Sequence, residues 1–334
     1  MLSKPLGRIV AGLIVVVVVM VAWFALQVDP IFSGKGRDVI VTVHPGDSMS
    51  TLAGEMHVKG VIASSLAFQI DTTIFGSFPI TAGSYEIAQG SSFSHVRSVF
   101  GSPPNVYAVD VTAGLTLHEV AIDIAAQEGN AYADKFVHFA TANNTPSPFR
   151  TSGSLEGLIG TGQYIIFPSE SPSQLASSME KRFVKQAASV GLTASTTLNG
   201  LDAYQLVIAT SIVEKEGYYP KNMPKVARVI YNRLARGGPL QMDATVLYYL
   251  GKDGGTVTPA MLQTQEPYNT YLNTGLTPTP ICAVSTIAMR ATLHPPVGTW
   301  LYFTLINQDG TMAFSTTFAQ QLKEEELAQS RGIG

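Results

Sequence analysis

The sequence predicts an α+β protein joined to a single apolar N-terminal helix. Three observations carry that prediction: an uncharged run of eighteen residues at Ile9–Leu26, strand-like segments at Val39–Val43, Val106–Val111 and Trp300–Ile306, and long helix-periodic stretches between them. Of the 334 residues, 46% are hydrophobic and 13% charged, and 21 basic against 24 acidic residues leave a net charge of −3. That balance excludes a basic nucleic-acid binder, and the apolar content excludes a largely disordered chain. The single cysteine, Cys282, rules out a disulfide framework and a multi-cysteine zinc site. The six histidines never fall in HExxH spacing, so no metal or other cofactor is expected.

Ile9–Leu26 has about the minimum length that spans a bilayer core as a helix. A cleaved signal peptide fits less well. The run exceeds the usual apolar stretch of about 7–15 residues, and Ala25 is preceded two positions earlier by Trp23 rather than a small residue. An uncleaved anchor over 9–28 behind a short tail over 1–8 is therefore expected. Lys4 and Arg8 on one side are nearly matched by Lys35 and Arg37 on the other, so local charge leaves the orientation open. The remaining roughly 300 residues suffice for two domains and lie on one side of a membrane.

The first of these is a small mixed module over 38–105. Val39–Val43 has strand composition, and His44–Ser48 is a turn in which Ser48 or Ser50 can cap a helix over Met49–Val58. A second helix over Ser64–Phe75 and a strand over Ala82–Ile87 follow. Gly101-Ser102-Pro103-Pro104-Asn105 is the best boundary, because consecutive prolines permit neither a helix nor an inner strand. The second region, 106–334, starts with the strand Val106–Val111 and a helix from the Thr112–Thr116 turn to Ala126. Helices are predicted at 130–142, 173–190, 202–216 and 224–236, the last with Pro224 in its first turn. The stretches Asn143–Gly153 and Pro168–Pro172 read as surface loops, and Asp309-Gly310 as the turn of a closing hairpin.

Leu206–Glu216 is the most informative stretch. At about 100° per residue, Glu216 falls within about 60° of Ala209, Ile212 and Val213 and shares their apolar face. Glu214 projects away beside Thr210 and Ser211 and reads as the solvated or structural one of the pair. A carboxylate against an apolar wall has its ionised form disfavoured, which raises its pKa toward the range a general acid needs. Downstream stand Asn232 within an apolar helix, Gln241 and Asp243, and Glu266-Pro267-Tyr268-Asn269-Thr270-Tyr271. An acid beside amides and phenols is the make-up of a carbohydrate cleft. The plainer alternative is that Glu216 ends its helix in water with Glu214 and Lys215. Gln241 and Asp243 would then only cap the helix Ala244–Leu250, and Tyr268–Tyr271 would form an ordinary turn.

In this order the segments resemble one family, the endolytic murein transglycosylases of the MltG or YceG-like type. The matching pieces are the N-terminal anchor, Pro45-Gly46, Gly60-Val61-Ile62, Ala82–Tyr85, Leu155-Glu156-Gly157, Ala209–Glu216, Val229–Leu234, Leu240–Val246, Tyr268–Tyr271 with Gly275-Leu276, and Leu301-Tyr302-Phe303. The resemblance implies a single-pass protein of the bacterial inner membrane, with a cytoplasmic tail over 1–8, a LysM-like module over 38–105 and a wall-facing catalytic domain over 106–334. It implies glycan strands of peptidoglycan as substrate and cell-wall synthases of the penicillin-binding type as partners. It carries the catalytic acid onto Glu216, and substrate contacts onto Glu156, Asn232, Gln241, Asp243, Tyr268 and Asn269. The implied reaction leaves a 1,6-anhydro-muramic end, with one carboxyl acting as acid and then as base, in contrast to the usual two-carboxylate glycosidase.

The chain departs from the family pattern at several places. Ile159–Gln163 lacks the acidic residue of the usual Phe-Pro-Asp-Thr run, Gly217 stands where threonine is common, and Thr277-Pro278-Thr279 replaces a proline-rich turn. Met312 and Gln321 stand where histidines are frequent. These departures leave a non-cutting peptidoglycan-binding membrane protein as the main rival reading. A serine acyl-transferase is a lesser one, because Ser178–Lys181 fits Ser-x-x-Lys but no Lys-Thr-Gly accompanies it.

Overall fold

A computed structural model describes residues 4–30, 36–141, 146–150 and 153–333. Lys35, the start of the tail over 1–8 and parts of the loop over 143–153 lie outside them. The chain divides into two compact units, one of residues 1–107 with 165–169, the other of 108–164 with 170–334. Each is a mixture of helices and short strands.

The first unit opens with α1 (Lys4–Val28), in which Ile9–Val28 forms a 20-residue stretch long and apolar enough to cross a membrane. Next come β1 (Asp38–Val43), α2 (Met49–Val58), α3 (Ser65–Ile74), β2 (Gly83–Ala88) and α4 (Phe93–Phe100). Ser48, Ser64 and Ser92 cap the three short helices, each accepting a backbone N–H of the first turn. β1 and β2 pair antiparallel from Asp38 opposite Ala88 to Val43 opposite Gly83. Val41, Val43, Tyr85 and Ile87 alternate inward against Leu52, Phe68, Phe93 and Phe100. Asn105 then acts as a surrogate strand, accepting the Glu86 N–H at 2.8 Å and donating to the Glu86 carbonyl at 3.3 Å.

After the first unit's helices come β3 (Tyr107–Val111), α5 (Leu117–Glu128), α6 (Asn130–Thr141), β4 (Gly162–Ile166) and α7 (Pro172–Ser189), of which Tyr107 and the last two residues of β4 are counted with the first unit and the rest with the second. The second unit continues with α8 (Ala203–Gly217), α9 (Met223–Ala235), α10 (Asp243–Tyr249), α11 (Pro259–Leu262) and α12 (Thr286–Leu293), and closes with β5 (Tyr302–Leu305), β6 (Met312–Ser315) and α13 (Phe318–Ser330). The described strands form three separate two-stranded sheets, β1 with β2, β3 with β4 and β5 with β6. Reciprocal capping boxes start α5 at Thr116 and Glu119, α7 at Ser171 and Gln174, and α8 at Asp202 and Gln205. At the β5–β6 turn Gly310 takes φ +81° and Asp309 Oδ1 accepts the Thr311 N–H at 2.9 Å.

Helix α8 is the axis of this unit, packed by α9, α10 and α12. Every residue from Leu206 to Val213 is buried, so the helix has no solvated face. Its two hydroxyls make that possible: Thr210 Oγ1 donates to the Leu206 carbonyl and Ser211 Oγ to the Ile208 carbonyl, which leaves no buried hydroxyl unpaired. Glu214 is the structural acid of the pair. Its Oε2 accepts the backbone N–H and the hydroxyl of Ser285, the N-cap of α12, both at 2.7 Å.

Candidate active site

α8 ends at Gly217 because the chain turns sharply there, with Tyr218 at φ +48° and Met223 packed where a Cβ on Gly217 would project. The last turn therefore brings half-buried Glu216 to the edge of the buried Leu206–Val213 stretch, beside the half-buried Lys215 and the exposed Tyr218. Glu216 Oε1 accepts the Ala244 N–H at 3.0 Å, at the N-terminal end of α10. Burial pushes the Glu216 carboxyl up to about 7, the Asp243 charge adds to the rise, and the Ala244 bond and the Arg233 guanidinium oppose it.

Two clefts meet at this residue. One, of about 680 Å³, is walled by the Thr112–Leu115 turn, Tyr218, Leu247 and the Asp253–Gly255 loop. The other, of about 430 Å³, is walled by Arg233, Gln241, Tyr271, Tyr302, Phe318 and Gln321. Glu216 and Asp243 line both. Asp243 is exposed, and its Oδ1 accepts the Tyr271 hydroxyl at 2.6 Å. Arg233 is spent on structure, its Nε donating to the Leu301 carbonyl at 2.6 Å and its Nη1 to the Leu240 carbonyl. Lys215, next to the acid, donates to Asp253 at 2.5 Å and to the Gly114 carbonyl at 3.1 Å, which ties the glycine-rich loop and the Thr112–Leu115 turn to α8.

The residues expected at the site separate into three groups. Glu216, Gln241 and Asp243 stand on the cleft walls, Gln241 at φ +51° and exposed. Glu156 lies in a smaller adjoining cavity of about 330 Å³ that also reaches Lys215 and Ala244. It is buried, accepts the Leu117 N–H at 3.1 and 3.2 Å and the Tyr248 hydroxyl at 3.2 Å, and burial raises its carboxyl to about 7. Gly157 follows at φ +70° with Pro280 occupying the place of a Cβ, so no other residue fits that turn unstrained.

Asn232, Tyr268 and Asn269 are not among the residues that line either cleft. Asn232 donates to the Gly298 and Trp300 carbonyls and ties α9 to the chain entering β5. Tyr268 pairs with Thr279 at 2.8 Å and packs against Tyr248. Asn269 is fully buried. Its amide nitrogen donates to the Leu262 and Thr264 carbonyls, and its oxygen accepts the Tyr271 N–H. A buried amide is taken by backbone groups that have no other partner, and this one shapes the loop that presents Tyr271.

The sequence reading missed the cleft roles of Tyr271, Tyr302 and the Ala244 amide. Tyr271 was visible as the last residue of Tyr-Asn-Thr-Tyr. The Ala244 amide carried no side-chain signal, since a backbone donor is exposed by the start of a helix and not by residue type. Among the described residues, no group of three or more His, Cys, Asp or Glu side chains gathers as a metal site.

A carboxyl held near neutrality where two open clefts meet, with phenol, amide and arginine groups on the walls, defines a general acid–base site suited to an elongated polar substrate. The chain belongs to the YceG-like family, which its residues 41–326 match. It is 30% identical over 318 residues to the endolytic murein transglycosylase of Bacillus subtilis, covering 89% of this chain and 87% of that protein. The endolytic murein transglycosylase of Streptococcus pneumoniae D39 is 24% identical, and the alignment spans 86% of this chain but 57% of that longer protein. The crystal structure of a YceG-like protein from Listeria monocytogenes superposes with a TM-score of 0.57 at 25% identity, over 86% of this chain and 99% of that one.

Proposed function

We propose that this chain is a membrane-anchored endolytic peptidoglycan transglycosylase in which Glu216 is the catalytic acid and base. The observation that carries the assignment is the position of Glu216, with its carboxyl raised to about 7, on the shared wall of two clefts that are otherwise lined by different residues. A groove open on both sides of the acid accepts the interior of a polymer, and the names of the relatives agree with that substrate.

In the first step the protonated Glu216 donates to the glycosidic oxygen as its bond to C1 of the muramic acid breaks, freeing the hydroxyl of the leaving sugar. The Glu216 carboxylate then accepts the proton of the C6 hydroxyl as that oxygen bonds to C1, closing the 1,6-anhydro ring. Glu216 ends protonated, no water is consumed, and no second catalytic carboxylate is required. Asp243 and Gln241 hold sugar hydroxyls on the cleft walls, and Tyr302 and Phe318 offer ring faces. Glu156 lies one shell behind and supports α10 through Tyr248.

The same reading takes 9–28 as the anchor, 1–8 as a cytoplasmic tail, 38–105 as a LysM-like glycan-binding module and 106–334 as the catalytic domain facing the wall. It places cell-wall synthases nearby as partners. Digestion of purified sacculi, with mass spectrometry of the products, tests the activity. Anhydro-muramic ends from the wild type and their loss in Glu216→Gln are expected. No such ends from the wild type would overturn the enzyme in favour of a binding protein, and equal ends from the variant would overturn the assignment of Glu216.

A further inference from the structure

We propose that the outward face of α3 lies in the headgroup region of the bilayer that α1 crosses, so that the first unit rests on the membrane surface. The proposal depends on α1 being a membrane span. Helix α3 buries Ala67, Phe68, Asp71 and Thr72 on its inner face. The opposite face should then carry polar residues, as a helix facing water does. It carries Leu66, Ile70 and Ile74 at 61%, 37% and 64% exposure, followed by Phe75 at 69%. Spacing of four residues puts the first three in one stripe.

The stripe itself carries no charge, and Arg97, which donates to the Gly76 carbonyl at 2.7 Å just past it, is a cation of the kind that suits the headgroup level. Between Lys59 and Glu86 the only charged residue is Asp71, and it points inward, accepting Arg97 Nη2 at 2.5 Å and Nε at 3.2 Å. A contiguous stripe of exposed apolar side chains marks a binding face.

The identity of the partner follows from where the stripe sits. α1 packs against α3 and α4, and Phe24 and Val28 lie against the core of the unit. These two residues close the Ile9–Val28 stretch, so α3 stands level with roughly the last 6 Å of the span. That level is the boundary between acyl chains and headgroups, where interfacial helices sink about 5–10 Å. Trp23, also exposed, falls at the same level, the depth at which tryptophan concentrates. An apolar stripe beside a span, at the depth of its end, meets phospholipid first.

The test uses the full chain in phospholipid nanodiscs, with an environment-sensitive fluorophore on single cysteines introduced as Val17→Cys, Leu66→Cys, Ile70→Cys, Ile74→Cys and Val297→Cys. The native Cys282 is buried and stays unlabelled. Nitroxide-bearing lipid is expected to quench the α1 position and the three α3 positions, while aqueous iodide quenches Val297→Cys, a site 96% exposed. Quenching of Val17→Cys by lipid together with iodide quenching of the α3 positions overturns the proposal and leaves the anchor standing. Protection of the α3 positions from both quenchers means that a second copy or another protein covers them, and also overturns it. Absence of lipid quenching at Val17→Cys overturns the anchor and the proposal with it.

Discussion

Glu216 caps a helix to which it does not belong. Its Oε1 accepts the Ala244 N–H at 3.0 Å, and the N-cap residue of α10, Met242, makes no side-chain cap bond of its own. A backbone donor favours the ionised carboxylate, and so does the Arg233 guanidinium. Burial nevertheless prevails and leaves the group near neutrality. The same contact orients the carboxyl, so one hydrogen bond fixes the direction of the acid while the cleft sets its protonation.

The rate of anhydro-end formation should fall as pH rises through about 7, because ionisation of Glu216 removes the proton that the first step donates. Initial rates on sacculi from about pH 5 to about pH 9 measure this. A rate that is flat or rising through neutrality would contradict Glu216 as the donor.

Asp243→Asn should move that falling limb to lower pH, by up to about one unit, because a neighbouring negative charge that disfavours Glu216 ionisation is gone. Tyr271→Phe keeps the charge while deleting the 2.6 Å hydrogen bond, so its limb should not move down. Equal downward shifts in both variants would show that the loop, not the charge, controls the acid.

Glu156 should make the protein less stable as pH rises. Burial raises its folded pKa from the ordinary 4.5 to about 7, so the folded state holds a proton that the unfolded chain releases. The contribution is complete below about 4.5, declines between there and about 7, and is lost above, a change on the order of 3 kcal/mol. Chemical denaturation of the wild type and Glu156→Gln at about pH 5 and about pH 8 reads it out. The wild type should lose more stability between the two; parallel losses would place the titration elsewhere.

Gly217→Ala should cost about 1–3 kcal/mol, since the added Cβ would lie 2.5 Å from Met223 Cγ and 3.2 Å from its Cα. This contact also explains why the chain has no threonine after its acid. Adding Met223→Ala removes the nearer atom and should restore part of the loss in a double-mutant cycle of thermal or denaturant unfolding. Additive losses would mean that the two residues do not press on each other.

Local sequence signals account for much of the framework. The caps at Ser48 and Asp202, Pro224 in the first turn of α9 and the Asp309-Gly310 turn of the β5–β6 hairpin each depend on neighbours within a few residues, and each is visible in a short window. The unpredicted elements were α4, β4, α11, α12 and α13. β4 is five residues long and is a strand only because it pairs with β3, some fifty residues upstream. α12 is eight residues long and packs against α8, α9 and α7, all distant in sequence.

The environment of Glu216 shows where one-dimensional reading stops. Helical spacing alone put this acid on the apolar face of α8 and Glu214 on another, because a period of 3.6 residues is built into the backbone. The partners of the two acids could not be read that way. Ser285 meets Glu214 from 71 residues away, and Ala244 meets Glu216 from 28 residues away through a backbone amide that any residue type except proline supplies. The same limit applies to Asn232 and Asn269, whose amide nitrogens donate to backbone carbonyls that a short window does not display. Residue type and periodicity established which groups the chain offers and which way each helix presents them. The closing of distant segments on one another decided which of those groups still face the cleft, since a polar side chain near an unpaired backbone group is used up there before a substrate can claim it.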